Sequence, residues 1–568
     1  MKSCWLSGIL LVSFFQTFHG YVPNQAIWTY ESASSFMERT LMVDTQLKVT
    51  NTTIDIHNDT TYHHDMFIIL VPHNTTHTQN VTSILSTPWD DLLQHMILTK
   101  TKYLTTMADS RPIHLHLVEL PASKKHNSTE DLFDGEMGRK VAESVLSIIS
   151  SKDRSVMTKT CGILLPTETN PEQTFWSECT STILSGLYRD LRYKSKKTDE
   201  EENQAIHSIE FITSSTSDMV TAVEGIHHGT IVAKGIYLAK DIVNAPHNSL
   251  NSHSLASLAK DIAAQSGGRL TCRILDATEC ARRGMGAFLA VARGSETTPQ
   301  FIHLTYTPPR WNAGNKKSKN TKSKILGIVG KGLLYDSGGY NIKTAMMELM
   351  KFDCGGAAAI LGAASILASL KPPNVQVHFV IAACENMINE RAIVPGDIVT
   401  ASNGKTIEVI NTDAEGRLTM ADALVYVDQH LECDTILELS TLTGACIGAL
   451  GTAMAGIWTD HSEMLDTLQL ASKITGDQIW QMPLEKSYQE DIVSKIADLK
   501  NLGGKYAGAI TAALFLTQFV NTNKPFAHID MAGTVWNHKK SGATGWGTKL
   551  VTEWVCQVSR QCFEDDNE

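Results

Sequence analysis

Two carboxylates and an arginine alternate along the segment 411–417, as Asp413, Glu415 and Arg417. A β-like run at 406–410 precedes them and a helix-like run follows. Residues two apart in an extended chain point to the same side, so we expect the three side chains to project together at a strand end. Two acids that face each other repel unless a cation lies between them, which favours a site for a hard metal ion. A solvated surface turn is the alternative that this segment leaves open.

A second group of candidate residues follows a buried β-like run and leads into an apolar helix-like run. This group consists of Lys331, Asp336, Lys343 and Asp353. The glycines around Lys331 lack the spacing of a phosphate-binding loop, so that interpretation is rejected. An aspartate just before a helix is commonly only a cap. Taken singly, each of these acids therefore favours a structural role.

Together the two groups resemble the signature segments of the leucyl aminopeptidase family, the cytosolic-type dinuclear metalloaminopeptidases. The resemblance covers roughly residues 216–550 and extends through segments around Asn386, Thr441, Asn501 and His528. It implies five metal ligands, which are Lys331, Asp336, Asp353, Asp413 and Glu415. It also implies two catalytic side chains, Lys343 and Arg417. No motif before residue 216 matches the family.

The implied chemistry is hydrolysis at two divalent metal ions. Zn²⁺ and Mn²⁺ are the expected ions, with Mg²⁺ and Co²⁺ as alternatives, because carboxylates suit hard or borderline cations. Two such ions share a water and lower its pKa. Lys331 has to be neutral to act as a ligand, whereas charged Lys343 polarises the scissile carbonyl. In the family, the residue matching Arg417 holds a bicarbonate that acts as general base. The substrate's free amine binds one metal, which restricts cleavage to the N-terminal residue.

The resemblance also implies a pocket for the first side chain of the substrate. Its residues are apolar or small: Met350, Thr441, Leu442, Gly444, Ala532 and Val535. Such a lining favours leucine or another hydrophobic residue. Two features depart from the family pattern, namely Val535 itself and a connection between Lys343 and Asp353 that is one residue shorter than usual.

The first 20 residues predict a secretory signal peptide, with a positive Lys2 and a mostly apolar run at 5–15. We therefore expect a secreted protein, or one in the lumen of the secretory pathway, with no membrane span after cleavage. Five Asn-X-Ser/Thr triplets support this expectation. These candidate glycosylation sites are Asn51, Asn58, Asn74, Asn80 and Asn127. Candidate disulfides are Cys161–Cys179, Cys272–Cys280 and Cys556–Cys562.

The chain has 568 residues and a formal net charge of -11. The length suggests more than one domain, and the charge gives no reason to expect nucleic acid as a partner. Alternating strand-like and helix-like runs predict an α/β protein of two domains. After the signal peptide at 1–20 we expect a smaller, glycosylated N-terminal α/β domain at 21–215 and a connecting helix at 216–243. The catalytic domain at 244–568 is expected to hold a mixed sheet sandwiched by helices.

The predicted function is a metal-dependent exopeptidase that releases leucine or other hydrophobic residues from the N-terminus of peptides. The family resemblance further implies a homohexamer. Two alternatives stay open at this stage. One is a dipeptidase that uses the same site, for example on Cys-Gly, and the other is a non-catalytic binding or DNA-associated role.

Overall fold

The structure of the protein is a computed structural model. It describes residues 46–51, 66–71, 96, 103–108, 111–119, 134–149, 160–164, 171–195, 206, 208–213, 218–309, 323–540 and 542–564. The predicted signal peptide at 1–20 lies outside these residues, as do four of the candidate glycosylation sites, Asn58, Asn74, Asn80 and Asn127. Asn51 is the last residue of the first strand.

The N-terminal part forms a six-stranded sheet in the order β1-β6-β5-β2-β4-β3. Its strands are β1 Gln46–Asn51, β2 Met66–Val71, β3 Tyr103–Ala108, β4 Arg111–Glu119, β5 Thr160–Leu164 and β6 Ser208–Thr213. All neighbouring strands are parallel except β3 and β4. Helices α1 (Gly135–Ile149) and α2 (Gln173–Leu187) pack together. The core is centred on Trp176 of α2, whose ring meets Phe175 and Phe211 edge to face.

A long helix, α3 (Asp218–Asn244), follows this sheet and packs against α2. It also packs against the part of the chain that follows it, which holds the residues predicted to be catalytic and is named the catalytic part. Its contact with α7 (Gly355–Leu370) depends on Gly235. A Cβ at this position would lie 2.4 Å from a side-chain carbon of Ile366 and 2.8 Å from the carbonyl oxygen of Gly362. Glycine therefore allows the two helix backbones to approach each other closely. The predicted limits 216 and 243 stay predictions, although they fall close to the ends of α3.

The catalytic part is built on an eight-stranded mixed sheet in the order β15-β14-β17-β13-β9-β10-β8-β7. Its strands are β7 Leu270–Leu275, β8 Gln300–Tyr306, β9 Lys324–Asp336, β10 Val375–Asn386, β13 Thr435–Ser440, β14 Ala455–Trp458, β15 Ile479–Gln481 and β17 Phe526–Asp530. Smaller sheets contain β11 Ile398–Thr400, β12 Thr406–Glu408, β16 Leu499–Lys500, β18 Trp536–Asn537 and β19 Gly542–Ala543. The central strand, β9, is parallel to both of its neighbours.

Helices cover both faces of this sheet. They are α4 Ser252–Gln265, α5 Ala277–Arg282, α6 Gly286–Ala292, α7, α8 Gly416–His430, α9 Gly444–Leu450, α10 Ser462–Thr475, α11 Gly508–Thr517 and α12 Thr548–Glu564, with 3-10 helices at Met347–Cys354 and Lys486–Ile492. Along β9, Ile328 packs into the core that includes α7, whereas Val329 packs into the core that includes α8. Because successive side chains of a strand point to opposite faces, β9 contributes to two hydrophobic layers. The predicted α/β class, with a mixed sheet sandwiched by helices, is confirmed.

The continuous helical stretch Met347–Leu370 is long and apolar enough to cross a membrane, but 83% of its most apolar window is buried inside the protein. The helix α7 therefore belongs to the core. The candidate disulfides are not formed, because Cys179, Cys280 and Cys556 are free thiols and each belongs to one of the three pairs.

Candidate active site

Lys331 and Asp336 both lie near the carboxyl end of β9. In a regular strand, two residues five apart would point to opposite faces. The register between β9 and β10 shifts between Cys384 and Glu385, where β9 holds one residue more than its partner. An extra residue of this kind reverses the alternation of side chains. The bulge therefore places Lys331 and Asp336 on the same face of the sheet.

Asp353 reaches Lys331 from the 3-10 helix Met347–Cys354, which leads directly into α7. Lys331 Nζ donates to Asp353 Oδ1 at 2.8 Å and lies 2.7 Å from Oδ2. Thr441, which follows β13, donates its hydroxyl to the same Oδ1 at 2.8 Å. All three residues are buried, so the position of the Asp353 carboxylate is fixed from two sides.

Asp413 and Glu415 come from the connection between β12 and α8. The prediction that they project together with Arg417 from an extended segment is wrong, because the helix begins inside that segment. Glu415 already has helical dihedral angles, with φ -74° and ψ -37°, and Arg417 lies in the first turn of α8. The two carboxylates turn to different lysines. Glu415 Oε1 lies 3.1 Å from Lys331 Nζ, and Asp413 Oδ1 lies 2.5 Å from Lys343 Nζ.

Lys343 joins the two halves of the cluster. Its Nζ lies 2.8 Å from Asp336 Oδ2 as well as close to Asp413. Burial lowers the pKa of Lys343, but the charges of Asp336 and Glu415 outweigh this and raise it above its ordinary value. This lysine is therefore held in its charged form. It is also the more accessible of the two lysines, with 18% of its side chain exposed against 3% for Lys331.

The carboxylates fit a cation. One oxygen each from Asp336, Asp353 and Glu415 can be chosen so that all lie within 4.8 Å of one another. Burial and mutual repulsion raise the pKa of Asp353 to about 6 and that of Glu415 to about 8, although Lys331 opposes both shifts. Glu415 Oε2 is buried without a hydrogen-bond partner among the described residues. Carboxylates that are buried, close together and incompletely paired are suited to a divalent metal ion.

Lys331 is the less obvious ligand. Burial lowers its pKa, but Asp353, Glu415 and Asp336 together raise it above its ordinary value. To coordinate a metal, this ammonium has to lose its proton. A divalent cation among the same carboxylates would favour that loss by repulsion.

Arg417 is buried beside this cluster, at 5% exposure. Its Nε and Nη1 groups have no hydrogen-bond partner in the part of the chain that the structure describes. Burial lowers the pKa of the guanidinium to about 10, against the charges of Glu415 and Asp530. A buried guanidinium with free donors is suited to a planar oxyanion.

Two asparagines hold the site together, and their roles were not predicted from the sequence. Asn386 donates to Asp336 Oδ1 at 2.8 Å and to the Thr412 carbonyl at 3.0 Å. Asn501 is fully buried and donates to the carbonyls of Asn411 and Ala414, at 2.7 and 3.2 Å. One signal could have identified Asn386. It ends β10 next to Asp336 at the end of β9, and the two are paired in register.

The residues of the predicted substrate pocket lie on three segments around Asp353. A Cβ on Gly355 would lie 2.5 Å from Val535 and 3.1 Å from Thr441, so these two side chains flank Gly355. Asp530 Oδ1 accepts from the backbone N–H groups of both Leu442 and Ala532, at 3.1 and 3.2 Å. Met350 lies on the 3-10 helix that carries Asp353. Gly444 is the first residue of α9, where a Cβ would meet nothing within 4 Å.

The catalytic-domain model of the cytosol aminopeptidase family matches residues 237–552. The chain is 46% identical over 417 residues to a probable cytosol aminopeptidase of Thermosynechococcus vestitus, which covers 72% of this chain and 80% of the relative. It is 46% identical over 426 residues to leucine aminopeptidase 2, chloroplastic, of Oryza sativa subsp. japonica. This match covers 74% of this chain and 68% of the relative.

The fold is similar to that of a solved structure, a tomato leucine aminopeptidase mutant. The match has a TM-score of 0.74 and 32% sequence identity, and it covers 90% of this chain and 96% of that one. Since the match extends over nearly the whole of both chains, the similarity includes the six-stranded sheet as well as the catalytic part.

The prediction of a secreted protein is wrong. The relatives are named as aminopeptidases of the cytosol or of the chloroplast. The relatives give no support to the predicted signal peptide at 1–20. Glycosylation of Asn51, Asn58, Asn74, Asn80 and Asn127 was predicted from the Asn-X-Ser/Thr triplets, and the relatives give it no support either.

Proposed function

Because this chain belongs to the cytosol aminopeptidase family and is an aminopeptidase, we propose that it releases leucine or another hydrophobic residue from the N-terminus of peptides. The reaction takes place where β9, the 3-10 helix and the start of α8 meet. The observation that carries this proposal is the joined cluster of four carboxylates and two lysines. A surface turn would not bury such a set of charges.

Two divalent metal ions, Zn²⁺ or Mn²⁺, are the proposed cofactors. Their proposed ligands are Lys331, Asp336, Asp353, Asp413 and Glu415. When bound, the ions would supply Lewis acidity and a water of lowered pKa. The close carboxylates and the unpartnered Glu415 Oε2 support this assignment. Asn386 and Thr441 would keep the carboxylates of Asp336 and Asp353 in position, because each donates a hydrogen bond to one of them.

Lys343 and Arg417 are the proposed catalytic side chains. Lys343 stays charged and is partly exposed, so its ammonium can donate to the carbonyl oxygen of the scissile bond and stabilise the charge that develops there. Arg417 has two buried donors free for a bicarbonate, which would accept the proton of the attacking water. The pocket around Met350, Thr441, Leu442, Gly444, Ala532 and Val535 would receive the first side chain of the peptide.

We also propose a homohexamer. Large apolar side chains are exposed on the catalytic part, among them Trp480 at 60%, Ile496 at 65% and Tyr506 at 76%. Contiguous apolar patches mark surfaces that are covered in an assembly, whereas single exposed apolar residues are common on monomers. The proposal therefore rests on the family resemblance, with which these exposed side chains agree. Light scattering on the purified protein would test this, since a monomer at micromolar concentration contradicts the proposal.

The decisive experiment combines activity with metal content. Hydrolysis of a leucyl-amide reporter should be lost on chelation and restored by Zn²⁺ or Mn²⁺. Asp353→Asn and Glu415→Gln should each lower activity by at least about 10²-fold and lower the bound metal measured by mass spectrometry. Asp460→Asn removes an exposed carboxylate, 61% accessible, and should leave both values unchanged. Full activity after complete removal of metal would contradict the proposal.

A further inference from the structure

A cavity of about 720 Å³ lies between the N-terminal part and the catalytic part. Residues of α2 and the turn after it form one wall, and α3 forms another. Asn537, Lys540, the residues 542–546 and Lys549 of α12 complete it, together with Asp477. The proposed metal ligands do not line it. It therefore differs from the candidate active site in both position and composition.

The lining of this cavity is basic. It contains five lysine or arginine side chains and only two aspartates, Asp190 and Asp477. Both aspartates are already engaged. Arg192 donates to the two oxygens of Asp190 at 2.8 and 2.7 Å. Asp477 accepts from the backbone N–H groups of Gly547 and Leu550, at 3.1 and 3.2 Å. Lys549 is engaged as well, since its Nζ lies 2.9 Å from Glu178 Oε2. Lys240 and Lys540 form no ion pair among the described residues, so they are the cations of the lining that an anion would neutralise.

Lys240 of α3 is the most deeply buried of these cations, at 8% exposure. Its Nζ donates to the Ser185 carbonyl at 2.7 Å and lies 5.1 Å from the centre of the Tyr188 ring. No carboxylate lies within ion-pair distance of it among the described residues. Burial and the nearby charge of Lys540 lower the pKa of Lys240 to about 8, although Asp241 opposes this shift. Two lysines therefore repel each other across a cavity that could hold an anion between them.

Lys240 keeps donors in reserve. A lysine ammonium has three donors, and Lys240 uses one of them on Ser185. The donors that Lys240 brings to the cavity would be satisfied by a ligand rich in acceptors.

We propose that this cavity binds a small oxyanion, a carboxylate or phosphate group, between Lys240 and Lys540. The volume leaves room for an organic anion such as an amino acid or a sugar phosphate beyond the charged group. The oxyanion would relieve the repulsion between the two lysines and would accept from donors that the protein leaves unpaired.

A short path of hydrogen bonds leads from this cavity to the candidate active site. Asn244, in the cavity lining, accepts from Ala543 N–H at 2.9 Å through its side chain. Its carbonyl accepts from Lys351 Nζ at 2.8 Å, and Lys351 lies on the 3-10 helix that carries Asp353. Two hydrogen bonds thus join the cavity lining to the 3-10 helix that carries Asp353.

Binding is tested by calorimetry on the intact protein, with inorganic phosphate and with acetate, against chloride at the same ionic strength. We expect saturable binding of at least one probe, and the preferred probe tells phosphate from carboxylate. Lys540→Ala and Lys240→Met should each weaken binding by about 10-fold or more. Lys540 is exposed, so its substitution tests the site without threatening the fold. The matched control is Lys539→Ala, which removes the same charge from the adjacent exposed residue outside the lining.

The buried guanidinium of Arg417 is the other place where an oxyanion could bind. Binding at the cavity should persist in Arg417→Ala, whereas binding at the active site should be lost. Three results would overturn the proposal. The first is no binding of phosphate or acetate beyond that of chloride, and the second is equal affinity in Lys540→Ala, Lys240→Met and the control Lys539→Ala. The third is binding that disappears only in Arg417→Ala. These outcomes concern affinity alone, so they stay distinguishable from a failure of the proposed metal chemistry.

Discussion

Lys331 and Asp353 lie 22 positions apart in the chain, yet their side chains are joined by a hydrogen bond of 2.8 Å in the buried centre of the catalytic part. The contact links β9 to the 3-10 helix that leads into α7. Around it, four carboxylates face only two lysines. The excess of negative charge persists whether or not Lys331 is protonated, and the positive charge of bound divalent ions would offset it.

Gly416→Ala tests how closely α8 must approach Lys331. A Cβ at this position would lie 2.4 Å from Lys331 Cε and 2.6 Å from Nζ. Since Gly416 is the first residue of a helix, alanine brings no backbone strain there. We expect the displaced lysine to lower kcat/KM by about 10²-fold, because displacements of 1 Å have that effect. Kinetics with a leucyl-amide reporter measure it.

The control for this substitution is Gly448→Ala in α9, where a Cβ would meet nothing within 4 Å. It should keep full activity and gain up to about 1 kcal/mol of stability from helix propensity. Equal activity of the two variants would show that Lys331 tolerates displacement and is not a metal ligand.

Asn386→Ala tests the positioning of Asp336. The substitution removes the donor to Asp336 Oδ1 and leaves the carboxylate itself in place. We expect metal affinity and activity to fall by about 10–100-fold, as for other groups that orient a metal ligand. Excess Mn²⁺ should restore much of the activity, which it could not do if the fold were lost. Asn389→Ala, in the turn after β10, is the control for a general loss of asparagine hydrogen bonds near this site. Failure of metal to rescue Asn386→Ala would contradict the positioning role.

The residues proposed as metal ligands lie together in the structure, but the predicted geometry of the segments that carry them was partly wrong. Asp413 and Glu415 were expected on an extended segment, but the helix starts at Gly416 and turns them to different lysines. Lys331 and Asp336, five residues apart, share a face only because of a bulge in β9. A bulge depends on pairing with β10, so strand periodicity alone cannot reveal it.

The elements themselves followed from local patterns. The apolar helix-like run that follows Asp353 in the sequence forms the helix α7, whose composition is typical of a buried helix. Asn386 was recognised as part of a family segment without a role, because its function arises from a cross-strand neighbour. Secretion was inferred from N-terminal composition and from the Asn-X-Ser/Thr triplets, whereas the relatives are named as aminopeptidases of the cytosol or the chloroplast.

Val535→Ala tests the predicted pocket for the first side chain. Val535 packs beside Gly355 and Thr441, and it is buried at 2% exposure. A smaller residue there should enlarge the pocket. We expect kcat/KM for phenylalanyl relative to leucyl reporters to rise about 10-fold, the scale of one or two methylene groups. Val551→Ala, in the core on α12, is the control for a loss of stability alone. An unchanged ratio would place Val535 outside the pocket.

His303 provides a prediction about acid stability, away from the active site. It lies on β8 with its Nε2 2.9 Å from His378 Nδ1, and the hydroxyl of Tyr426 is 3.2 Å from its Nδ1. Burial, then the charges of His378 and Arg273, lower the pKa of His303 from 6.5 to about 3. The folded protein therefore keeps this ring neutral between about pH 6.5 and pH 3, whereas the unfolded chain binds a proton there.

Protons bound only by the unfolded chain favour unfolding, so His303 should reduce stability as the pH falls below 6.5, by about 1.4 kcal/mol per pH unit. In His303→Gln this contribution is absent. We expect the loss of unfolding free energy between pH 7 and pH 4.5 to be about 2–3 kcal/mol smaller in the variant than in the wild type. Urea unfolding at the two pH values measures the difference. His538→Gln, at an exposed position, should behave as the wild type does. The same acid sensitivity in all three proteins would mean that His303 is already protonated in the folded state.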